Sequence, residues 1–348
     1  MTGIDPDSSS PESSAIAGAA YWITLAAIGA CIIGVWLTTA ASRFADFDTY
    51  VLYLDQLVHF PPINWWYFEA LSNFYLLVLH NLTQSVETSI FAAHDLLAVA
   101  FVLFMVAAFP PKNSSWASIL FLFCLLGPAL AFVTLRATPA YFLVAIATLH
   151  AMRRDSRGWL YTFIAFLFHA STLLAVVPML LLYNQDRLPG FLTGKHSLRL
   201  LVGLIVLLLP VAILLPQIAS SAASLLQSTP YLSKYIAYTD EVLPADHVTS
   251  INHYIFLAFV LAYSIVFFWK MNKDASRISI YVMSSLFIYI LAFFSLSPVA
   301  AFRQAPFFLL PMISLFPWRN IGLKGPMALV FIVACACLFY FQFDQVYI

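Results

Sequence analysis

Two arginines stand where so apolar a chain should not keep them. Arg136, in "TLRATP", and Arg303, in "AAFRQAP", each border a long apolar run and each lie shortly before a proline. An arginine at bilayer depth costs about 2.5–3.5 kcal/mol on insertion scales, so a retained one has work to do. Paired guanidinium forks in a partly dry, outward-facing cavity suit a diphosphate, because each can hold phosphate oxygens bidentately. The plainer alternative is snorkelling, or an ion pair with Asp95 or Glu69. Spacing leaves both readings open.

Other residues offer chemistry of their own. His169, inside "AFLFHAST", is of the residue type whose reference pKa lies near working pH, and it can accept a proton or donate a hydrogen bond to a ligand. It can equally be a packing histidine. The acidic stretch "FADFDTY" places Asp46 and Asp48 beside Tyr50, as a general base for a sugar hydroxyl or as a helix cap on a solvated loop. A metal is the least favoured use, since no His or Cys lies near them at ligand spacing. Asp95, in "IFAAHDLLAV", is costly to bury and should pair with an arginine. Tyr231, Tyr235 and Tyr238 are spaced to share one helical face, and with Trp65, Trp66 and Tyr67 they offer stacking surfaces for a glycan. An interfacial aromatic belt explains the same residues.

The elements that must carry these residues are membrane helices. Of 348 residues 62% are hydrophobic and 9% charged, and the mean hydropathy of +0.90 lies far outside the range of soluble domains. Net charge is zero, which gives nucleic acid no field to follow, and Cys31, Cys124, Cys335 and Cys337 sit in apolar runs without metal-ligand spacing. Residues 1–16 read as a disordered tail without the basic start of a cleavable signal, and 17–348 as one integral membrane domain with outer loops 40–87 and 217–253. Apolar runs fall at about 17–39, 88–109, 116–135, 139–152, 159–183, 200–216, 254–270, 278–296, 305–317 and 326–342.

Charge orients them. The loops holding Lys112, Arg153, Arg154, Arg157, Arg187, Lys195, Arg199, Lys270, Lys273, Arg277, Arg319 and Lys324 are cytoplasmic by the positive-inside rule. Basic loops then flank both ends of the run 159–183, which must turn back on itself. The turning point is "FHAST", where His169, Ser171 and Thr172 interrupt the apolar run. That places His169 at an outer mouth, with Arg43, Arg136, Lys234 and Arg303 on the same side. The fold expected is all-α and polytopic, with about nine full spans plus a His-containing hairpin.

The stretch 134–183, "TLRATPAYFLVAIATLHAMRRDSRGWLYTFIAFLFHASTLLAVVPMLLLY", resembles the EpsG/Wzy-type family of polysaccharide polymerases. The likeness rests on Arg136 at the start of a short helix, the basic turn "RRDSR", and "AFLFHAS" with Ala165, Phe168, His169 and Ser171 ahead of Pro178. "DFDTY", "YLSKYIAY" and "AAFRQAPFFLLP" follow the family's order, although Ala137 follows Arg136 where the family often has Gln, and no Gly precedes Asp46.

The resemblance implies a GT-C-like glycosyltransferase without metal or other cofactor, acting outside the bacterial inner membrane. It would move a growing glycan from undecaprenyl diphosphate onto a lipid-linked repeat unit, within the lipid bilayer and in company with a polysaccharide chain-length regulator. Arg136 and Arg303 would hold the leaving diphosphate, His169 would position or deprotonate the acceptor hydroxyl, and Asp46, Asp48, Tyr50, Tyr235 and Tyr238 would complete the site. Other functions remain: a polyprenyl-phosphate-sugar glycosyltransferase centred on "DFD", a transporter or flippase of lipid-linked glycans, and an O-acyltransferase that uses a membrane histidine. No P-loop, GxGxxG, HExxH or GxSxG is present to favour ATP-driven transport or hydrolysis.

Overall fold

The computed structural model describes residues 11–44, 46–59, 69–111, 114–187, 199, 202–203, 206, 251–270, 277–295, 298–321, 323 and 325–346. Among them the regular elements are all helical, and they fall into two compact units. Four helices are long and apolar enough to cross a membrane: Ile16–Thr38, Val86–Ala108, Ile251–Lys270 and Pro326–Asp344. Shorter apolar helices accompany them, among them Trp116–Phe132, Ala137–Met152 and Ser279–Phe294. The run 200–216, apart from Val202, Gly203 and Val206, lies outside the described residues, as do Trp65, Trp66, Tyr67, Tyr231, Tyr235 and Tyr238.

The first unit comprises Met1–Leu143, Ile164–Ala170 and Pro317–Ile348. Its first helix, α1, runs Pro11–Thr38 and so extends back into the segment read as a tail. Proline is well tolerated at a first helical position, where its missing N–H is not needed. Within the segment 40–87 the chain forms two helices, α2 (Phe47–His59) and α3 (Ala70–Thr83). Helix α4 (Val86–Ala108) follows, started by Ser85, whose Oγ accepts from the Thr88 N–H at 3.4 Å.

Helix α5 (Trp116–Phe132) is the centre of this unit. Every residue from Ala117 to Phe132 except Leu120 is buried, as expected of a helix apolar all round. It packs against α1, α4 and the C-terminal helix (Pro326–Val346). Phe123 stacks on Phe339 at 5.1 Å and Phe132 on Phe44 at 5.3 Å.

Helix α6 (Ala137–Met152) begins in the first unit and ends in the second, and α7 (Arg157–Phe168) does the reverse. The apolar run 159–183 does turn back. Helix α7 stops at Phe168, Ala170–Thr172 forms one 3₁₀ turn, and α8 (Leu173–Tyr183) resumes. In the second unit Trp159 stacks on Tyr183 at 5.1 Å, and the Tyr183 hydroxyl donates to the Asp155 carbonyl at 2.7 Å. The two ends of the run therefore meet. Gly158 makes this possible, because a Cβ there would lie 2.3 Å from the Tyr183 hydroxyl and 2.8 Å from the Ala147 carbonyl oxygen.

The second unit continues with α9 (Ile251–Lys270), α10 (Ser279–Ser295) and α11 (Pro298–Leu315). Helix α10 packs on α8 and α11, and α9 on α11. The buried Tyr281 hydroxyl donates to the Phe307 carbonyl at 2.9 Å. Pro306 withdraws its N–H from the helical ladder of α11, in the turn where Arg303 sits.

Candidate functional site

Arg136 occupies the short turn between α5 and α6, and local bonds fix that turn. Thr134 Oγ1 donates to the Ala129 carbonyl at 3.0 Å and meets Thr138 Oγ1 at 2.6 Å. Tyr75, from α3, donates through its hydroxyl to the Leu135 carbonyl at 3.2 Å. Pro139 falls in the first turn of α6, where no N–H is required. The guanidinium is thereby aimed at one acceptor. Its Nη1 donates to Glu69 Oε2 at 2.8 Å.

Glu69 is the residue that sequence reasoning underrated, entering there only as one of two plain partners for an arginine. It precedes α3 with φ 53° and ψ 45°, a left-handed conformation that costs a side-chain-bearing residue about 1–2 kcal/mol. Its carboxylate is nearly removed from solvent, with 3% of the side chain exposed, against 26% for Arg136 and 16% for His169.

His169 reaches the same carboxylate. Its Nε2 lies 3.6 Å from Glu69 Oε1, an ion pair whenever the imidazole is protonated. The Ala170 N–H, freed from the helical ladder where α7 ends, points at Oε1 from 3.4 Å. Ser72 Oγ donates to the Phe168 carbonyl at 2.7 Å, so the end of α7 is held by residues at the start of α3. One carboxylate thus gathers an arginine, a histidine and a backbone amide.

Aromatic rings wall the guanidinium. Its Cζ lies 4.3 Å from the Tyr53 ring centre and 5.7 Å from that of Tyr50, both on α2. Burial works against the arginine's charge, but Glu69 and then Tyr50 and Tyr53 outweigh it and raise its pKa above the ordinary value. Burial also raises Tyr53, against a pull downward from Arg136 and with a push upward from Glu69. Its hydroxyl stays a donor, bonded to Asn73 Oδ1. Behind Tyr50 lies His94, its ring 6.5 Å away and stacked on Phe47 at 6.0 Å.

One donor is left over. Arg136 Nε is buried and has no hydrogen-bond partner among the described residues. A buried N–H without an acceptor costs about 1–3 kcal/mol, and a polyanionic ligand is what relieves it.

The remaining expected site residues are placed differently. Asp46 caps α2 through its backbone, its carbonyl accepting from the Tyr50 N–H at 2.9 Å, and Asp48 is exposed in the first turn. No metal-holding cluster of acidic, His or Cys side chains occurs among the described residues. Arg303 is half-buried on α11, in the second unit. It lies inside the helix rather than ahead of it, because Pro298 starts α11 earlier than the apolar run beginning at 305. Among the described residues Asp95 has no arginine as its counter-ion. It projects with Phe91, Val99 and Leu103 on the exposed face of α4, while Glu69 takes Arg136.

An integral membrane protein that keeps an ionic cluster among its helices is what this fold and site define. Residues 26–347 match the EpsG family, and the chain belongs to it. Membership supports, at the level of the family, a polysaccharide polymerase-type membrane protein. No curated protein and no solved structure matches the chain.

Proposed function

We propose that this protein is a metal-independent repeat-unit polymerase of the GT-C kind, which transfers a growing glycan from undecaprenyl diphosphate to a lipid-linked repeat unit at the periplasmic face of a bacterial inner membrane. The observation that carries this reading is the convergence of Arg136 and His169 on one buried carboxylate, with the Arg136 Nε left unpaired. A guanidinium in a low-dielectric wall of tyrosine rings is preorganised for the charge that grows on a departing diphosphate. His169, at the break between α7 and α8, supplies a nitrogen of suitable basicity to the acceptor hydroxyl. Lipid-linked substrates reach such a site laterally, which fits residues borne on helix ends. A polysaccharide chain-length regulator is the partner this activity calls for.

The test is turnover by the purified chain, using lipid-diphosphate-linked repeat units extracted from cells in which it is inactivated. Wild type should give a ladder of lengthening glycans, and Arg136→Ala and His169→Ala should lose it while remaining folded. Arg303→Ala and Asp48→Asn are separate arms. The first asks whether the second unit's arginine takes part, and loss in the second with tolerance of the arginine changes would favour a sugar donor on a single phosphate. Movement of lipid across a vesicle without any new glycosidic bond would overturn the enzyme.

A further inference from the structure

The two side chains assigned to the two ends of the reaction do not face an open space. They share Glu69. Arg136 Nη1 holds Oε2 at 2.8 Å, whereas His169 Nε2 stands off Oε1 at 3.6 Å, so the carboxylate is committed to the arginine and only poised for the histidine. A planar guanidinium that already grips a carboxylate has part of its donor set occupied by an anion of the chain's own, while its buried Nε–H has none. The diphosphate and Glu69 are rivals for one cation.

Resting on the polymerase reading above, we propose that Glu69 is an exchangeable counter-ion and a positioning residue: the lipid diphosphate displaces its carboxylate from Arg136, and the released carboxylate closes on His169. Donor binding and readiness of the acceptor-side histidine become one event. The step balances without further reactants. The acceptor oxygen forms its bond to the anomeric carbon, the bond from that carbon to the diphosphate oxygen breaks with its electron pair, and the acceptor's proton passes to His169. The leaving diphosphate stays on Arg136, and Glu69 faces the imidazolium that has formed. The second oxygen already has a histidine and a freed backbone N–H beside it, so the carboxylate has somewhere to place its charge once the arginine lets go.

The geometry around Glu69 permits the shift. Its Oε1 already lies on the His169 side, so closing on the imidazole needs a small rotation of the carboxylate and no movement of a helix. The Tyr53 ring, 4.3 Å from the guanidinium carbon, keeps Arg136 in place while its anion changes.

The experiment uses the full-length protein in nanodiscs, with undecaprenyl diphosphate as the binding probe and lipid-linked repeat units for turnover. Glu69→Gln keeps the shape and removes the charge. It should bind undecaprenyl diphosphate roughly tenfold more tightly, the fold-change of one ordinary charge-assisted hydrogen bond no longer in competition. Its kcat should fall by about 10²-fold or more, the loss expected when a base is left without its orienting charge. Glu69→Asp should recover part of kcat.

That opposed split, tighter binding with slower turnover, is not produced by a structural counter-ion. Unchanged or weaker binding in Glu69→Gln overturns the exchange, and so does unchanged kcat. Difference infrared spectra of wild type on adding the diphosphate must show a carboxylate band leaving arginine pairing. Its absence overturns the exchange even where both variants fail to fold. If Arg136→Gln binds the diphosphate as wild type does, the polymerase reading falls instead, whatever Glu69 does.

Discussion

Among the described residues the same trio of groups occurs twice, once around a buried carboxylate and once around a more open one. In the first unit Arg136 and His169 meet Glu69. In the second unit Arg157 and His150 meet Asp155, with Arg157 Nε 3.0 Å from Oδ2 and His150 Nδ1 2.8 Å from the same oxygen. The arginine contacts are about equal, and the histidine contact is the closer in the second trio. Exposure separates them, since 24% of the Asp155 side chain is open to solvent against 3% for Glu69, and 70% of Arg157 against 26% for Arg136. Solvent screens the Asp155 trio and side-chain entropy opposes it, so such pairs contribute little to stability. Around Glu69 the same attractions act in a poorly screened setting, where they can hold a charge in place for use. Burial, rather than the set of residues, distinguishes a candidate site from a braced turn.

The comparison breaks first, and with the largest effect, at Arg136. Arg136→Ala leaves Glu69 as a buried carboxylate without its strongest partner, which should cost about 3–5 kcal/mol of stability and lower the thermal unfolding temperature markedly. Arg136→Met combined with Glu69→Met should recover most of that stability, since apolar groups of similar size often replace a buried pair without loss. Polymerisation should stay absent. Thermal unfolding and a turnover assay on the two variants separate the roles. Recovery of both would mean that the pair is structural only, and recovery of neither would mean that the turn between α5 and α6 depends on the charge itself.

A middle-sized effect lies at Gly158, beside the exposed trio. Gly158→Ala places a Cβ against the Ala147 carbonyl, a backbone atom that cannot swing aside, and against the Tyr183 hydroxyl that ties the hairpin to Asp155. Overpacking of this kind costs about 1–3 kcal/mol. Unfolding should therefore occur at lower temperature, while Arg157→Ala, which removes a largely exposed side chain, should leave it nearly unchanged. Equal losses from both would show that the exposed ion pairs carry more of this turn than their screening allows.

What was legible in the sequence follows the same division. Charges inside apolar runs are visible from composition, so Arg136 and His169 stood out, and the charge rule forced the turn at "FHAST" that the structure contains. The helices α2 and α3 were harder, because their segment mixes acidic, aromatic and polar residues without a sustained apolar run. Glu69 is visible in the sequence only as one of two carboxylates that could pair with an arginine, which it does. Its importance comes from a left-handed backbone and from partners 67 and 101 residues away in the chain, which no local pattern encodes. Asp95 went wrong for a related reason. Helix α4 is apolar on every side, so periodicity could not say that Asp95 shares its face with the exposed Phe91, Val99 and Leu103 rather than with the buried His94 and Leu97.

The smallest effect sharpens the comparison through pH. The Arg157 backbone N–H, followed by His150, holds the Asp155 carboxyl below the usual aspartate range. A group whose folded pKa is depressed lends stability that is fully present above its unfolded value, near 3.9, and is lost as pH falls through the folded one. From pH 7 down to about 5, Asp155 should therefore contribute no change. Below about 4 wild type should lose a small increment of thermal stability that Asp155→Asn does not lose, with the two melting curves drawing together. A loss that appears already between pH 7 and 5 would overturn the assignment to Asp155, and would make this trio more than a brace.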